Sequence, residues 1–189
     1  MAESIAFFAW GANLTFTGAF FIERYGTSEF TAGILLALGA AMFFVASVRG
    51  MPLVRHLPRP RLIAAAALVT GAMITLQFNT HNLLWIAVVA WSLGAVAGGI
   101  RSAVSPALGL AQLPGQPGSM MAARTATLQM GYLLGGILGG AALAWSGYAA
   151  LGLILGSGMI LAAVLVLRVS DPREEEVAEA TVAVGGEET

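Results

Sequence analysis

The residues best suited to chemistry are polar side chains set within long apolar stretches. Asn13 and Thr17 are four residues apart and Trp10 lies three before Asn13, so all three share one face of a helix. Amide, hydroxyl and indole groups exchange hydrogen bonds but do not break covalent bonds unaided. This face is predicted either to line a polar path for a solute or to hydrogen-bond a neighbouring helix, and both interpretations stay open.

A second polar pair is Gln129 and Tyr132, which are three residues apart and share a face of a later apolar stretch. Trp91 lies in the middle of another such stretch. For these residues too, lining a cavity and bonding a neighbouring helix are open alternatives. The candidate solute-contacting residues are therefore Trp10, Asn13, Thr17, Trp91, Gln129 and Tyr132.

The sequence does not provide a catalytic centre. It has no cysteine, and its histidines, His56 and His81, fall between the apolar stretches. Ser157 therefore lacks a buried histidine to activate it, and Asp171 is the sole aspartate, which excludes serine and di-aspartyl protease mechanisms. Because cysteine is absent and both histidines lie between the apolar stretches, the sequence also lacks the ligands of a metal site. We expect no catalytic residue, no metal and no cofactor, and a net charge of −1 gives no reason to expect a nucleic-acid partner.

The elements that position these residues are set by composition. The chain is 58% hydrophobic and 10% charged, whereas a soluble domain is about 25% charged. Its mean hydropathy is +0.82, so lipid is the expected solvent. We predict an all-α polytopic protein with six membrane-spanning helices in a domain over residues 1–169, and a disordered acidic tail over residues 170–189. The predicted helices cover residues 5–22, 30–48, 62–77, 83–104, 120–144 and 147–169.

Arginines define the predicted topology. Residues 49–61 join the second and third apolar stretches and contain four of the nine arginines. Short basic loops stay in the cytoplasm. With six crossings, eight arginines fall on that side and only Arg24 falls outside. We therefore expect a multi-pass protein of a bacterial inner membrane, with both termini in the cytoplasm.

Small residues indicate how the helices pack. The fifth predicted helix carries glycines at four-residue spacing, which lets helix backbones approach closely in lipid. These glycines form two series, Gly131, Gly135 and Gly139 in the first and Gly136 and Gly140 in the second. The first three and last three helices are also interpreted as two inverted repeats, because each set opens with an aromatic helix that carries polar groups.

The segment after the second helix resembles a cytoplasmic loop motif of the major facilitator superfamily, Gly-x-x-x-Asp-Arg-x-Gly-Arg-Arg. Gly50, Arg55 and Arg59 match it, and the other places are taken by Val54, Leu57 and Pro58. The runs from Leu113 to Arg124 and from Gln129 to Gly140 are similar to a loop and penultimate helix of bacterial efflux-type members. The resemblance covers nearly the whole span from Ile5 to Val169.

This resemblance implies a secondary transporter that moves a small solute, in the efflux direction, by alternating access. The family's full transporters have twelve helices in two halves, and this chain is similar to the C-terminal half. An N-terminal half or a second copy is the implied partner. The first and fourth helices of a half line the cavity, which favours Asn13, Thr17 and Trp91 as wall residues. The alternative is an accessory membrane protein that binds a partner through its glycine-rich helices and transports nothing.

Overall fold

Long apolar helices make up the described part of the chain. The computed structural model describes residues 2–50, 52, 57–81, 83–113 and 115–172. These residues contain no strand, as predicted for an all-α fold. The helices are α1 (Ala2–Tyr25), α2 (Glu29–Gly50), α3 (Arg59–Asn79), α4 (Leu84–Gln112) and α5 (Pro117–Val166). Each is long and apolar enough to cross a membrane, and the protein is therefore a multi-pass helical membrane protein.

The structure has five helices among its described residues, where six were predicted, because the last two are joined into α5. A straight helix of 50 residues is about 75 Å long, more than twice a hydrocarbon core of about 30 Å. Gly147 interrupts it with φ 72° and ψ −171°, a conformation that glycine adopts without strain. We call residues 117–146 the first arm of α5 and residues 148–166 the second arm. One glycine makes the break, so no polar linker separates the two arms.

The first arm runs in the same direction as α1. Gly131 lies against Phe7, and eight residues later Gly139 lies against Phe16. Residue numbers therefore rise together along the two helices. Such pairs place backbone beside backbone because the glycines have no side chain.

The second arm runs in the opposite direction along α1. Its first residue, Tyr148, contacts the ring of Phe20 at a centroid distance of 5.1 Å. Ten residues later Gly158 faces Ile5 and Ala9. The chain therefore reverses at Gly147, and the two arms form a helical hairpin.

The helices are arranged around α1. It packs against both arms of α5, α3 packs against α4 and the second arm, and α2 packs mainly against α4. A central cluster of buried aromatic and aliphatic side chains joins α1, α3, α4 and the second arm. α2 is the least buried of the helices, so most of its surface lacks a protein neighbour among the described residues.

α4 continues beyond its predicted end. The fourth helix was predicted to end at Val104, and the proline two residues later lacks the N–H that a continuing helix would use. Instead α4 passes through Pro106 and ends at Gln112. Leu108 is buried in a second apolar cluster with Leu62 and Val104, and this packing offsets the missing backbone hydrogen bond.

Charged residues separate the two ends of the bundle. Ion pairs at one end, which we call the arginine-rich end, involve Glu3, Arg59, Arg101, Arg124 and Asp171. At the opposite end, Arg24 bonds His81, and the hydroxyl of Tyr148 donates to Glu23 at 2.9 Å. Arg24 is thus separated from these other arginines, as the predicted topology requires.

Candidate functional site

A cavity of about 520 Å³ lies between α1, α2, α4 and the first arm of α5. Its wall is apolar and aromatic, and none of the residues that form it carries a charge. Several wall residues on α1 and α2 are exposed, so the cavity opens at the protein surface. The wall residues are Trp10, Leu14, Leu36, Ala37, Gly39, Ala40, Phe43, Trp91 and Tyr132.

Three aromatic rings from three helices form a stack on this wall. The ring centroids of Trp10 and Trp91 are 6.0 Å apart with planes inclined by 13°. Those of Trp10 and Phe43 are 5.5 Å apart with planes inclined by 23°. Near-parallel, offset rings at such distances attract one another beyond simple area burial. The stack therefore holds α1, α2 and α4 together and gives the cavity a flat aromatic lining.

Trp91 is fixed in place by α2. Its indole N–H donates a hydrogen bond of 2.9 Å to the carbonyl oxygen of Leu35. The ring lies directly against Gly39, where a Cβ atom would overlap it. Trp91 is only 2% exposed, so the orientation of its ring is set by packing on both sides.

Tyr132 brings the first arm of α5 into the wall. Its ring meets that of Phe7 edge to face, at a centroid distance of 6.2 Å and an interplanar angle of 87°. Gly11 on α1 makes room for it, since a Cβ there would collide with the tyrosine ring. Trp10, Trp91 and Tyr132 are thus the predicted site residues that the structure brings together around the cavity.

Asn13 and Thr17 lie away from the cavity. Both are buried, and Gln77 on α3 donates a hydrogen bond of 2.9 Å to the hydroxyl of Thr17. That hydroxyl lies 2.6 Å from the backbone oxygen of Asn13 and 3.2 Å from its side-chain oxygen. In this structure Thr17 makes a hydrogen bond between helices, the second of the two roles left open by the sequence, and Asn13 is bonded to Thr17 on the same helix. On α1 it is Leu14, about 100° round the helix from Asn13, that lines the cavity beside Trp10.

Gln77 was not identified from the sequence. It is the last residue of the third predicted helix. α3 in fact continues to Asn79, and Gln77 is 1% exposed. The signal in the sequence was an amide at the end of an apolar stretch, since an amide buried there requires a partner.

Gln129 is exposed and lies outside the cavity wall. It precedes Tyr132 by three residues, which turns it about 60° away on the helix. That angle is enough to move it from the inner face to the outer one.

A cluster of charged side chains lies at the arginine-rich end of the bundle, near Tyr132. The carboxylate of Glu3 lies 3.6 Å from Arg101 and 3.9 Å from Arg124, and these two arginine side chains are only 5% and 13% exposed. Both guanidinium groups lie 5.2 Å from the ring centroid of Phe7. The cluster ties the start of α1 to α4 and α5. Glu3 was not singled out from the sequence, because it precedes the first predicted helix.

The predicted loop motif is partly described. Gly50 is buried against Ile100 of α4. Arg59 is buried, lies 3.6 Å from Asp171, and donates to the carbonyl oxygen of Ala107 at 3.4 Å. Arg55 lies outside the described residues, as do residues 173–189 of the predicted tail.

The two glycine series of α5 face different surroundings. Added Cβ atoms on Gly131, Gly135 and Gly139 would lie 2.6, 2.6 and 2.7 Å from atoms of α1. At Gly136 no atom lies within 4 Å of such a Cβ, and at Gly140 the nearest is 3.8 Å away. The first series therefore packs directly against α1, and the second series lies at the edge of this contact.

Comparison with known protein families gives a match to the Major Facilitator Superfamily over residues 1–185. This match takes in the cavity wall, the charged cluster and the loop between α2 and α3. Comparison with curated proteins gives no match.

Proposed function

Because the chain belongs to the Major Facilitator Superfamily, whose members are secondary transporters, we propose that it exports a small solute by alternating access, as the C-terminal half of a twelve-helix unit. The observation that supports this best is the cavity shared by α1, α2, α4 and the first arm of α5. Two of the first three helices, α1 and α2, form its wall together with α4 and the first arm of α5. In this proposal that wall is one side of the solute path.

In this proposal, a partner supplies the opposite wall of the cavity. Leu133 and Leu134 on the first arm of α5 are 63% and 44% exposed, and Ile34 on α2 is 52% exposed. These two helices flank the cavity. An N-terminal half or a second copy of the chain, placed over them, would enclose the cavity and shield the solute from lipid.

The topology in the proposal has six crossings. The reversal at Gly147 supports this number, since the arms of α5 run in opposite directions along α1. Ion pairs collect Glu3, Arg59, Arg101 and Arg124 at one end, which the proposal places in the cytoplasm of a bacterial inner membrane. The unit of α1–α3 then begins in the cytoplasm, and the unit of α4 and the two arms begins outside, as two inverted repeats do.

The test uses the absence of cysteine from the sequence. Ala40→Cys places one thiol on the exposed cavity wall of α2, and Ala72→Cys places one on the exposed surface of α3. In native membranes, a maleimide that carries a photoreactive benzophenone, which inserts into C–H bonds and needs no amine, is expected to join the first variant to a second polypeptide or copy. The second variant is expected to stay uncrosslinked. Equal crosslinking of the two variants, or none, would contradict a partner placed over the cavity.

Alternating access is tested with the same variant. A membrane-impermeant maleimide is expected to reach the Ala40→Cys thiol from either face of oriented vesicles, with the favoured face changing when solute is added. Labelling from one face under every condition would argue against transport.

The alternative function, an accessory protein that binds through its glycine-rich helices, is favoured by a different observation. Gly136 faces open space, so a smooth strip of the first arm is free to receive another helix. A partner that crosslinks at this strip, while cavity labelling does not respond to solute, would support this alternative.

A further inference from the structure

We propose that the cavity selects planar, uncharged aromatic solutes, which extend the ring stack of Trp10, Trp91 and Phe43. The inference deepens the proposed transport function and rests on it for its biological role. All three rings line the cavity, and the plane of Trp10 is inclined by 13° to that of Trp91 and by 23° to that of Phe43. A flat solute that adopts the same inclination gains ring–ring attraction that an aliphatic solute of equal size does not.

The rigidity of the wall supports selection by shape. Trp91 is held by its hydrogen bond to Leu35 and by its contact with Gly39. Its neighbour Trp10 is 6% exposed and also packs against Gly98 of α4. Because neither indole ring can turn without disturbing a helix contact, the wall stays flat when it is empty. A preorganised surface favours ligands that match it and rejects puckered ones.

The charge of the wall supports an uncharged solute. Leucine, alanine, glycine and aromatic residues form it, without an acidic or basic side chain. A charged solute would lose its hydration there, and none of the wall residues would supply a counter-ion. Attraction between a cation and the ring faces offsets part of that loss but is weaker than hydration.

Two polar groups on the wall favour one oxygen atom on the solute. The indole N–H of Trp91 is occupied by the Leu35 carbonyl oxygen. Trp10 and Tyr132 each present a polar group, and neither side chain makes a hydrogen bond to another described residue. A cavity of about 520 Å³ is in the usual range for small-molecule sites. A bicyclic aromatic ring with a single hydroxyl meets all of these conditions.

The experiment measures equilibrium binding to the full chain in lipid nanodiscs, by dialysis against labelled probes with empty nanodiscs as blank. The probes are 2-naphthol, its saturated counterpart decahydro-2-naphthol, and the planar cation N-methylquinolinium. Saturable binding of 2-naphthol at least about fivefold tighter than that of the other two is expected. Equal binding of the saturated probe would overturn selection by stacking, and tighter binding of the cation would overturn the preference for an uncharged solute.

Variants connect binding to the wall. Trp10→Leu is expected to weaken 2-naphthol binding by about two- to tenfold. Tyr132→Phe keeps the ring and folds more safely, and it is expected to weaken binding of 2-naphthol but not of naphthalene. Trp145→Leu is the matched control, because Trp145 is 90% exposed and outside the cavity. Unchanged affinity in both wall variants would overturn the inference.

The outcomes separate this inference from the proposed function. If the chain crosslinks to a partner and responds to solute, yet 2-naphthol binds no better than its saturated counterpart, transport stands and the aromatic preference fails. If 2-naphthol binds with the expected dependence on the wall, while Ala40→Cys labelling never changes face, the preference stands and transport fails.

Discussion

Two neighbouring glycines on the first arm of α5, Gly135 and Gly136, provide a sharp test of the helix packing. Replacing each by alanine adds the same methyl group at almost the same position along the helix axis. The two variants are nevertheless expected to change stability in opposite directions. The reason is that only Gly135 faces α1.

The expected difference follows from the geometry. A Cβ atom on Gly135 would lie 2.6 Å from the carbonyl oxygen of Phe8 and 3.0 Å from the backbone nitrogen of Ala12. Both atoms belong to the backbone, so neither can rotate away and the helices must move apart. Overpacking of this kind costs about 1–3 kcal/mol. No atom lies within 4 Å of a Cβ on Gly136, so the same cost is absent there.

Helix propensity enters both variants equally. Alanine is favoured over glycine in a helix by about 1 kcal/mol. Gly136→Ala is therefore expected to stabilise the protein by up to about 1 kcal/mol. Gly135→Ala is expected to destabilise it by about 0–2 kcal/mol, and the difference between the variants isolates the contact at about 1–3 kcal/mol.

The assay is equilibrium unfolding in mixed micelles with increasing sodium dodecyl sulfate, followed by circular dichroism. The wild-type chain and both variants are measured at the same protein concentration. Equal free energies of unfolding for the two variants, or a larger loss for Gly136→Ala, would refute the assignment of the α1 contact to the first glycine series.

Three further predictions concern other parts of the bundle. Gln77→Leu is expected to lower the free energy of unfolding by about 0.5–2 kcal/mol through loss of an interhelical hydrogen bond, with Gln129→Leu near zero in the same assay; equal losses would contradict the bond. Glu3→Gln is expected to cost about 1–3 kcal/mol, less than breaking a fully buried pair because the carboxylate is 27% exposed, and unchanged stability would contradict its role in the charged cluster. Gly39→Ala is expected to weaken 2-naphthol binding by displacing the adjacent indole ring, whereas Gly33→Ala, which meets no atom within 4 Å, leaves binding unchanged in equilibrium dialysis.

The sequence was sufficient to predict the class of fold and the approximate place of each helix. The apolar stretches are long and the charges between them are few, so burial in lipid dominates weaker local preferences. Predictions of where individual helices end were less reliable. The fourth helix was predicted to end at Val104, yet α4 continues past Pro106 to Gln112, and Leu108 is buried. The predicted boundary between the fifth and sixth helices, at residues 145–146, lies next to the kink at Gly147, but α5 remains one element because nothing polar separates its arms.

The candidate site was harder to predict. The spacing of residues shows which side chains share one side of a helix, but not which neighbouring helix or cavity that side meets. Trp10 and Asn13 share one side of α1, yet the first lines the cavity and the second is buried away from it. A rotation of about 60° separates these two surroundings, which is within the width of a single helical face. Gln77 and Glu3 took part in contacts that depend on distant parts of the chain. Such pairings follow from the relative rotation of helices, which a single sequence does not specify.

The reversal at Gly147 has a mechanical consequence. One residue joins two rigid rods, so the joint has almost no slack and neither rod can slide along its axis without carrying the other. The rod that borders the cavity is thereby coupled to the rod that rests on α3. In the proposed transport cycle, a tilt produced by a solute at the wall would be passed to the far side of the bundle as leverage about this joint.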